Sequence, residues 1–349
     1  MSRLVEIAGR KIGPEYEPYV ICELSGNHNG SLDRALQLLD AAAATGADAI
    51  KIQSYTPDTI TIDHDGPGFR IEGGLWDGRT LYDLYGEAQT PFEWHEHLFR
   101  RARELGVTLF STPFDESAVD LLEELGAPAY KIASFEAVDL PLIAYVAAKR
   151  KPMIISTGMA NLDEIGEAVR TARENGCDEI ILLHCVSSYP APDEQSNVRT
   201  VPDLAERFGV VTGLSDHTFG SAVAVASIAL GGCVVEKHFT LRRSDGGPDS
   251  AFSLEPEEFS TLVKDCKRAW RALGRATYDL QGCERGSIAF RRSIYVVRDV
   301  AAGDELTAEN IRSIRPGYGL PPKQLPEVLG RRAARDLKRG EPLKLEDVR

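Results

Sequence analysis

Two histidines, two lysines and two glutamates stand out, because each closes a short apolar, β-branched run. Those runs are Tyr19–Leu24, Ala49–Gln53, Thr108–Pro113, Ala129–Ser134, Pro152–Thr157, Glu179–Cys185, Val210–His217 and Cys233–Leu241. His217 ends the seventh in Gly213-Leu-Ser-Asp-His, and His238 ends the eighth in Glu236-Lys-His-Phe. Neutral imidazoles at matched levels of adjacent strands can share one divalent metal and leave positions open for water and substrate. Glu236 lies two residues before His238, on the same strand face, where it can orient a ligand or a bound water. Lys51 and Lys131 end the second and fourth runs in similar phrasing, Ile-Lys-Ile-Gln and Tyr-Lys-Ile-Ala-Ser. A buried lysine demands a counter-charge. With Thr112, Ser134, Ser156 and the amides of Ser156-Thr157-Gly158, the two lysines suit a ligand bearing phosphate and carboxylate. The alternative is an internal Lys–Glu pair with Glu23. Glu23, set before the turn-rich Ser25-Gly-Asn-His-Asn-Gly30, is a candidate general base.

The elements that must position these groups follow from the spacing. Eight runs short enough for buried parallel strands alternate with amphipathic helical stretches, the pattern of an α/β (β/α)8 TIM barrel whose site lies at the C-terminal ends of its strands. In the first helix Ser31 is the cap, Leu32, Ala35, Leu36 and Leu39 form the apolar stripe, and Gly46 ends it. The remaining strand ends carry polar groups, among them the Gln53 amide and the Ser187 and Ser215 hydroxyls.

Two segments depart from the repeat. The connection Ser54–Gln89 far exceeds an ordinary βα loop. Alternation in Thr59–Ile62 and Phe69–Ile71 around Gly66-Pro-Gly68 predicts a hairpin, and its root at the C-terminal face predicts a lid; an oligomer contact is the other reading. After Gly274 the texture changes to short runs broken by turns. The chain therefore divides into a barrel over 1–275, a linker over 276–290 and a compact module over 291–349, the last small enough to lean on a partner surface.

Composition narrows the class. The formal net charge of −13 argues against nucleic acid or an anionic membrane as partner. Six scattered cysteines without a C-x-x-C spacing read as reduced thiols. Without an apolar leader or a membrane-length apolar stretch, the sequence predicts a cytoplasmic protein.

At these residues the sequence resembles the sialic acid synthase family. The resemblance is carried by Glu23-Leu-Ser-Gly-Asn-His-Asn, Lys51-Ile-Gln, Phe110-Ser-Thr-Pro-Phe, Tyr130-Lys-Ile-Ala-Ser, Ile155-Ser-Thr-Gly, Gly213-Leu-Ser-Asp-His and Glu236-Lys-His-Phe, in the family's order. It implies condensation of phosphoenolpyruvate with an N-acylated amino sugar, giving a nine-carbon 2-keto sugar acid and phosphate. It also implies that the C-terminal module is an antifreeze-like (SAF) domain. Carried over by position, it assigns metal binding to His217 and His238, and phosphoenolpyruvate to Lys51, Thr112, Lys131, Ser134, Ser156 and Ser215. Glu23 and Gln53 fall by the reacting carbons, Tyr189 and Asp249 on the sugar side. The implied cofactor is a divalent metal ion, Mn2+ first, with Mg2+ and Co2+ as alternatives. Arg315, in Ile314-Arg-Pro-Gly-Tyr-Gly, matches an arginine that reaches a neighbouring subunit's substrate, which implies a domain-swapped homodimer.

Departures within the family point to one branch. Gly247-Pro-Asp-Ser-Ala-Phe252 stands where the neuraminate enzymes read Gly-Pro-Asp-His, and Ser187 falls in a segment where a ligand-binding asparagine is replaced. These segments, with Leu75–Tyr82 and Arg315–Lys323, are similar to the pseudaminate branch. The implied sugar is a 6-deoxy diacetamido hexose, 2,4-diacetamido-2,4,6-trideoxy-L-altrose, with a legionaminate-type or N-acetylmannosamine substrate as the alternative. A barrel enzyme acting on a sugar phosphate would need a further basic cluster, a metal-dependent aldolase would not need the anion cradle, and an ice-binding module would not be expected to carry Arg312, Arg315, Lys323, Arg331 and Arg332.

Overall fold

The computed structural model describes residues 4–349, which form two compact units that meet in sequence between Gly274 and Arg275. The first begins with an antiparallel hairpin, β1 (Val5–Ile7) and β2 (Arg10–Ile12). Ala8 and Gly9 both take positive φ at its turn. Eight parallel strands follow: β3 (Tyr19–Glu23), β4 (Ala49–Ser54), β5 (Thr108–Pro113), β6 (Tyr130–Ile132), β7 (Met153–Ser156), β8 (Ile180–Cys185), β9 (Val211–Asp216) and β10 (Val234–His238). They close into a barrel through β10 and β3.

Alternation along each strand divides the core. Val20, Cys22, Ile50, Ile52, Ile132, Ile155 and Val235 point outward into one large cluster with the surrounding helices. Tyr19, Ile21, Ala49, Phe110, Ala129, Ile154, Ile181, Leu183, Val211 and Val234 point inward and fill the lower barrel, plugged by Val5, Ile7 and Ile12 of the hairpin. Above that apolar floor every inward position is polar or small, so the interior becomes chemically different only toward the C-terminal face. Gly213 permits one tight seam: a Cβ there would lie 2.1 Å from Val234 O, so only glycine lets β9 approach β10 this closely.

Side chains set the helix boundaries. Ser31 accepts from the Arg34 amide at the start of Leu32–Ala44, as expected from the sequence, and Asp115, Asp139 and Asn161 cap Glu116–Glu124, Leu140–Ala147 and Leu162–Glu174 in the same way. The first helix buries Ala35, Leu38, Leu39 and Ala42, with Leu36 packed at the edge of that face.

The long connection after β4 differs from the expected hairpin. Pro57 and the Thr56/Thr59 capping box start a helical turn at Pro57–Ile60, which removes 59–62 from any pairing with 69–71. Instead Phe69 and Ile71 pair with Leu81 and Arg79, across a turn in which Gly73, Gly74 and Gly78 all take positive φ. The segment then runs through the helix Leu81–Ala88.

The second unit carries an antiparallel pair, β11 (Ser293–Val296) and β12 (Ile311–Ile314). Ile294, Val296, Val300, Leu306, Ile311, Val328, Ala333, Leu337 and Leu343 form its own small core. Residues ahead of β11 form an exposed 3-10 stretch, Gly282–Phe290.

Candidate active site

Barrel register assembles the polar layer. His238 pairs with Glu23 across β10 and β3, and Glu23 pairs with Lys51 across β3 and β4. Gln53 pairs with Thr112, and Glu236 with Ser215, which in turn pairs with Cys185. Side chains that are distant in sequence therefore meet inside one ring.

The centre of the ring is charged and buried. Lys51 Nζ lies 2.7 Å from Glu23 Oε2, 3.1 Å from Thr112 Oγ1 and 3.5 Å from Glu236 Oε1. The Lys–Glu alternative raised from sequence is thus realised for Lys51. Lys131 is different: its Nζ lies 3.6 Å from Glu236 Oε1, beyond hydrogen-bond length. Burial pulls Lys131 below the ordinary lysine range, whereas for Lys51 the carboxylates of Glu23 and Glu236 outweigh burial and raise it. Burial alone would raise Glu236, but Lys131 and Lys51 overcome it and hold the carboxylate ionised. Burial pushes Glu23 upward against the pull of Lys51, as suits a carboxylate that takes up a proton.

Hydroxyls surround this centre. Ser156 Oγ is buried without a hydrogen-bond partner among the described residues, and Ser215 Oγ lies 3.4 Å from Glu236 Oε1. Ser134 Oγ accepts from the Gly158 amide at 3.1 Å. A Cβ on Gly158 would stand 2.2 Å from Ser187 Oγ and 2.8 Å from Ser134 Oγ, so glycine keeps these hydroxyls open to a shared ligand. Two ammonium groups, an orphaned hydroxyl and a glycine-lined cradle form a site for a small polyanion.

The histidines close one side. One step beyond the Lys237–Asp216 pair of β10 and β9, His217 stands opposite His238, and their ring centroids are 5.4 Å apart. His217 uses Nδ1 on Val186 O at 2.9 Å, leaving Nε2 as its free donor atom, while His238 Nδ1 is buried without a partner. Burial, reinforced by His217 and Lys51, holds His238 far below the ordinary histidine range and hence neutral. Burial would lower His217 too, but the Cys185 sulfur as thiolate, the Val186 carbonyl and Asp216 together outweigh it and raise it. Among the described residues no third histidine, cysteine or carboxylate joins the pair as a cluster. The donor set fits an ion that keeps most of its positions for water or substrate. Behind the pair Lys237 Nζ reaches Asp216 Oδ2 at 2.6 Å, both fully buried, which pins β9 to β10 just below the imidazoles.

Aromatic rings and the long connection form the outer wall. Tyr189 stands 4.4 Å from His217 and 5.2 Å from Phe252, centroid to centroid, and Trp76 stands 5.8 Å from Tyr189. Trp76 Nε1 donates to Pro248 O at 2.8 Å, so the long connection reaches the loop that follows β10. Asp249, in that loop, is bonded to Ser25 Oγ, and burial raises its carboxyl above the usual range. Gln53 Nε2 donates to Glu23 Oε1 at 2.9 Å and lies 3.2 Å from Ser25 Oγ.

Nearly all of the residues singled out from sequence thus converge: Glu23, Lys51, Gln53, Thr112, Lys131, Ser134, Ser156, Ser187, Tyr189, Ser215, His217, Glu236, His238 and Asp249 belong to the barrel unit and its C-terminal loops. Arg315 is exposed and follows β12 in the second unit. Three residues escaped the sequence reading. Ser25 and Cys185 look like loop and core residues by type. Glu136 sits in the 3-10 turn Ser134–Glu136 with Oε2 buried and unpartnered, and burial pushes its carboxyl up to about 7. Its only signal was its place two residues after Ser134.

Comparison with known proteins agrees with this geometry. Residues 38–278 match the NeuB family and residues 291–349 match the SAF domain. The chain is 43% identical over 331 residues to a pseudaminic acid synthase of Campylobacter jejuni, covering 95% of this chain and 96% of that one. It is 35% identical to an N,N'-diacetyllegionaminic acid synthase of Legionella pneumophila, covering 95% and 94%. A crystal structure of an N-acetylneuraminic acid synthetase from Leptospira borgpetersenii in complex with citrate superposes with a TM-score of 0.73 at 30% identity, over 82% of this chain and 96% of that one. A barrel that lines its C-terminal mouth in this way, followed by a SAF domain, places the chain in the NeuB family.

Proposed function

We propose that this protein condenses phosphoenolpyruvate with 2,4-diacetamido-2,4,6-trideoxy-L-altrose and water to give pseudaminic acid and phosphate. The observation that carries the reading is the 43% identity to a pseudaminic acid synthase along nearly the whole of both chains, against 35% for the legionaminate enzyme.

The site chemistry suits that reaction. Lys131, Lys51, Thr112 and the hydroxyls of Ser134, Ser156, Ser187 and Ser215 bind phosphoenolpyruvate, the lysines offsetting its charge and the hydroxyls bonding its oxygens. Lys51 is held by Glu23 and Lys131 is not, so Lys131 is the cation free to take a phosphate or carboxylate oxygen. C3 of phosphoenolpyruvate attacks the open-chain aldehyde at C1, and positive charge develops at C2. Glu23, oriented by Gln53, removes a proton from the water that adds to C2. The proton held by Glu23 passes to the oxyanion formed at C1, and the C2 hydroxyl gives its proton to the departing phosphate as the C–O bond breaks, leaving the 2-keto acid. His217 and His238 would hold a divalent ion, Mn2+ first with Mg2+ and Co2+ as alternatives, and a bound ion supplies a Lewis acid for the aldehyde. Tyr189 and Asp249 face the sugar, under the segment anchored by Trp76.

We assign the protein to the cytoplasm, where phosphoenolpyruvate is available, and to a homodimer with exchanged SAF domains, since Arg315 is exposed on a module small enough to need a supporting surface. Among the described residues no helix is long and apolar enough to cross a membrane.

The deciding assay incubates purified protein with phosphoenolpyruvate, Mn2+ and each candidate sugar, following phosphate release and product mass. Preferred turnover of the altrose derivative, with the product mass of pseudaminic acid, supports the proposal. Preferred turnover of N-acetylmannosamine or of the legionaminate precursor overturns the substrate assignment.

A further inference from the structure

A continuous chain of side chains crosses the floor of the site. Lys51 Nζ meets Glu23 Oε2, Glu23 Oε1 accepts from Gln53 Nε2, Gln53 Nε2 lies 3.2 Å from Ser25 Oγ, and Ser25 Oγ donates to Asp249. Ser25 is the middle of that chain and has no role in the reaction as derived above. It is 2% exposed and takes φ +48, a left-handed conformation that favours glycine. A serine at such a position gives up backbone comfort that glycine would supply, so its hydroxyl has to account for its presence. Among the described residues, the side chains within hydrogen-bond reach of that hydroxyl are those of Gln53 and Asp249.

We propose that Ser25 is a positioning residue for the sugar: its hydroxyl joins Asp249 to the Gln53–Glu23 pair, so that the carboxylate facing the sugar and the base facing the reacting carbon keep a fixed separation. The consequence is chemical registry. Asp249 lies in the loop after β10, 224 residues from Ser25, and Trp76 donates to the carbonyl of the neighbouring Pro248 at 2.8 Å. Ser25 thus ties that loop to the Gln53–Glu23 pair at the C-terminal strand ends, while Trp76 of the long connection holds it at Pro248. Without the hydroxyl the loop keeps its backbone, but Asp249 loses the one side-chain donor it has among the described residues and is left with the Gly26 amide, so the sugar loses a fixed partner.

This inference rests on the proposed condensation, and its test separates the two. Ser25→Gly removes both the hydroxyl and the backbone strain; Ser25→Ala removes the hydroxyl and keeps the strain. If the hydroxyl positions the sugar, both variants raise the apparent KM for the sugar about ten-fold or more, the scale of one lost hydrogen bond to a charged group, and leave that for phosphoenolpyruvate within about two-fold. Ser25→Gly should also unfold at a temperature no lower than the wild type, which separates positioning from folding. In the Asp249→Asn background, removing the Ser25 hydroxyl should add little further loss, because the two act as one unit. Active wild type together with a Ser25→Gly variant of unchanged sugar KM overturns the role of Ser25 alone. Wild type inactive on every candidate sugar overturns the condensation and this inference with it.

Discussion

The ammonium of Lys51 lies 2.7 Å from the Glu23 carboxylate, both side chains being buried, whereas Lys131 finds its nearest carboxylate, Glu236, at 3.6 Å. Two lysines with the same motif therefore differ in what they do before substrate arrives. Replacing Lys131 by Met should raise the KM for phosphoenolpyruvate far more than that for the sugar, and cost less stability than the Lys51 change, because Glu236 keeps the Lys51 ammonium at 3.5 Å. Replacing Lys51 by Met should also weaken phosphoenolpyruvate binding, and in addition destabilise the fold by about 3 kcal/mol, since Glu23 is left without its partner. Steady-state kinetics with each substrate varied, together with thermal unfolding, checks both. Equal effects on the two substrates would count against the anion assignment.

The His217–His238 pair should be required for turnover and dispensable for phosphoenolpyruvate. Alanine at either position should reduce kcat by about 100-fold or more. Calorimetric binding of phosphoenolpyruvate should stay near wild type, since the lysines and hydroxyls hold it. Elemental analysis should show metal lost along with activity. Full activity in a chelator-treated protein with no bound metal would sink the assignment.

Glu136 provides a pH-dependent check on the site's burial. Its carboxyl is raised to about 7 in the folded protein from an ordinary value of 4.5. A group that binds more protons folded than unfolded is least costly at low pH, and stability falls as pH rises between about 4.5 and about 7. Glu136→Gln abolishes that titration. Its stability relative to wild type should therefore improve across that window by on the order of 2–3 kcal/mol and then level off. Denaturant unfolding at pH 5 and pH 8 measures this directly. A difference that does not change with pH would mean that Glu136 is better solvated than its unpartnered Oε2 indicates.

What could be read from the sequence, and what could not, follows from how each residue is positioned. Groups fixed by the strand period were legible, because the barrel turns sequence position into height and facing: Lys51, Lys131, Glu236 and the two histidines stand where alternation puts them. Residues fixed by turns were not. Ser25 and Glu136 owe their place to a left-handed backbone and a 3-10 turn, and neither leaves a periodic trace. The hairpin expected around Gly66-Pro-Gly68 failed for a related reason: alternation in Thr59–Ile62 imitated a strand, while the Thr56/Thr59 capping box and Pro57 decided for a helical turn. The ion pair between Lys51 and Glu23 was foreseen only as an alternative to ligand binding, because sequence shows charge but not the distance that separates a pair from a cradle.

The last expectation concerns Arg315, which is exposed and belongs to a module with a small core of its own. If the proposed exchange of SAF domains is right, each barrel is completed by the arginine of the other subunit. An Arg315→Ala subunit then keeps a sound barrel but supplies no arginine, and a Glu23→Ala subunit supplies the arginine but has lost its base. Each homodimer should be nearly inactive. Mixed under conditions that exchange subunits, half the dimers are heterodimers, and each contains one site with both residues intact. Activity should return to about a quarter of the wild-type level, the statistical share for two-fold symmetric dimers with sites completed in trans. Native mass spectrometry verifies that exchange has occurred. Confirmed heterodimers without recovered activity would mean that the module serves its own barrel, and Arg315 would then have to act within a single chain.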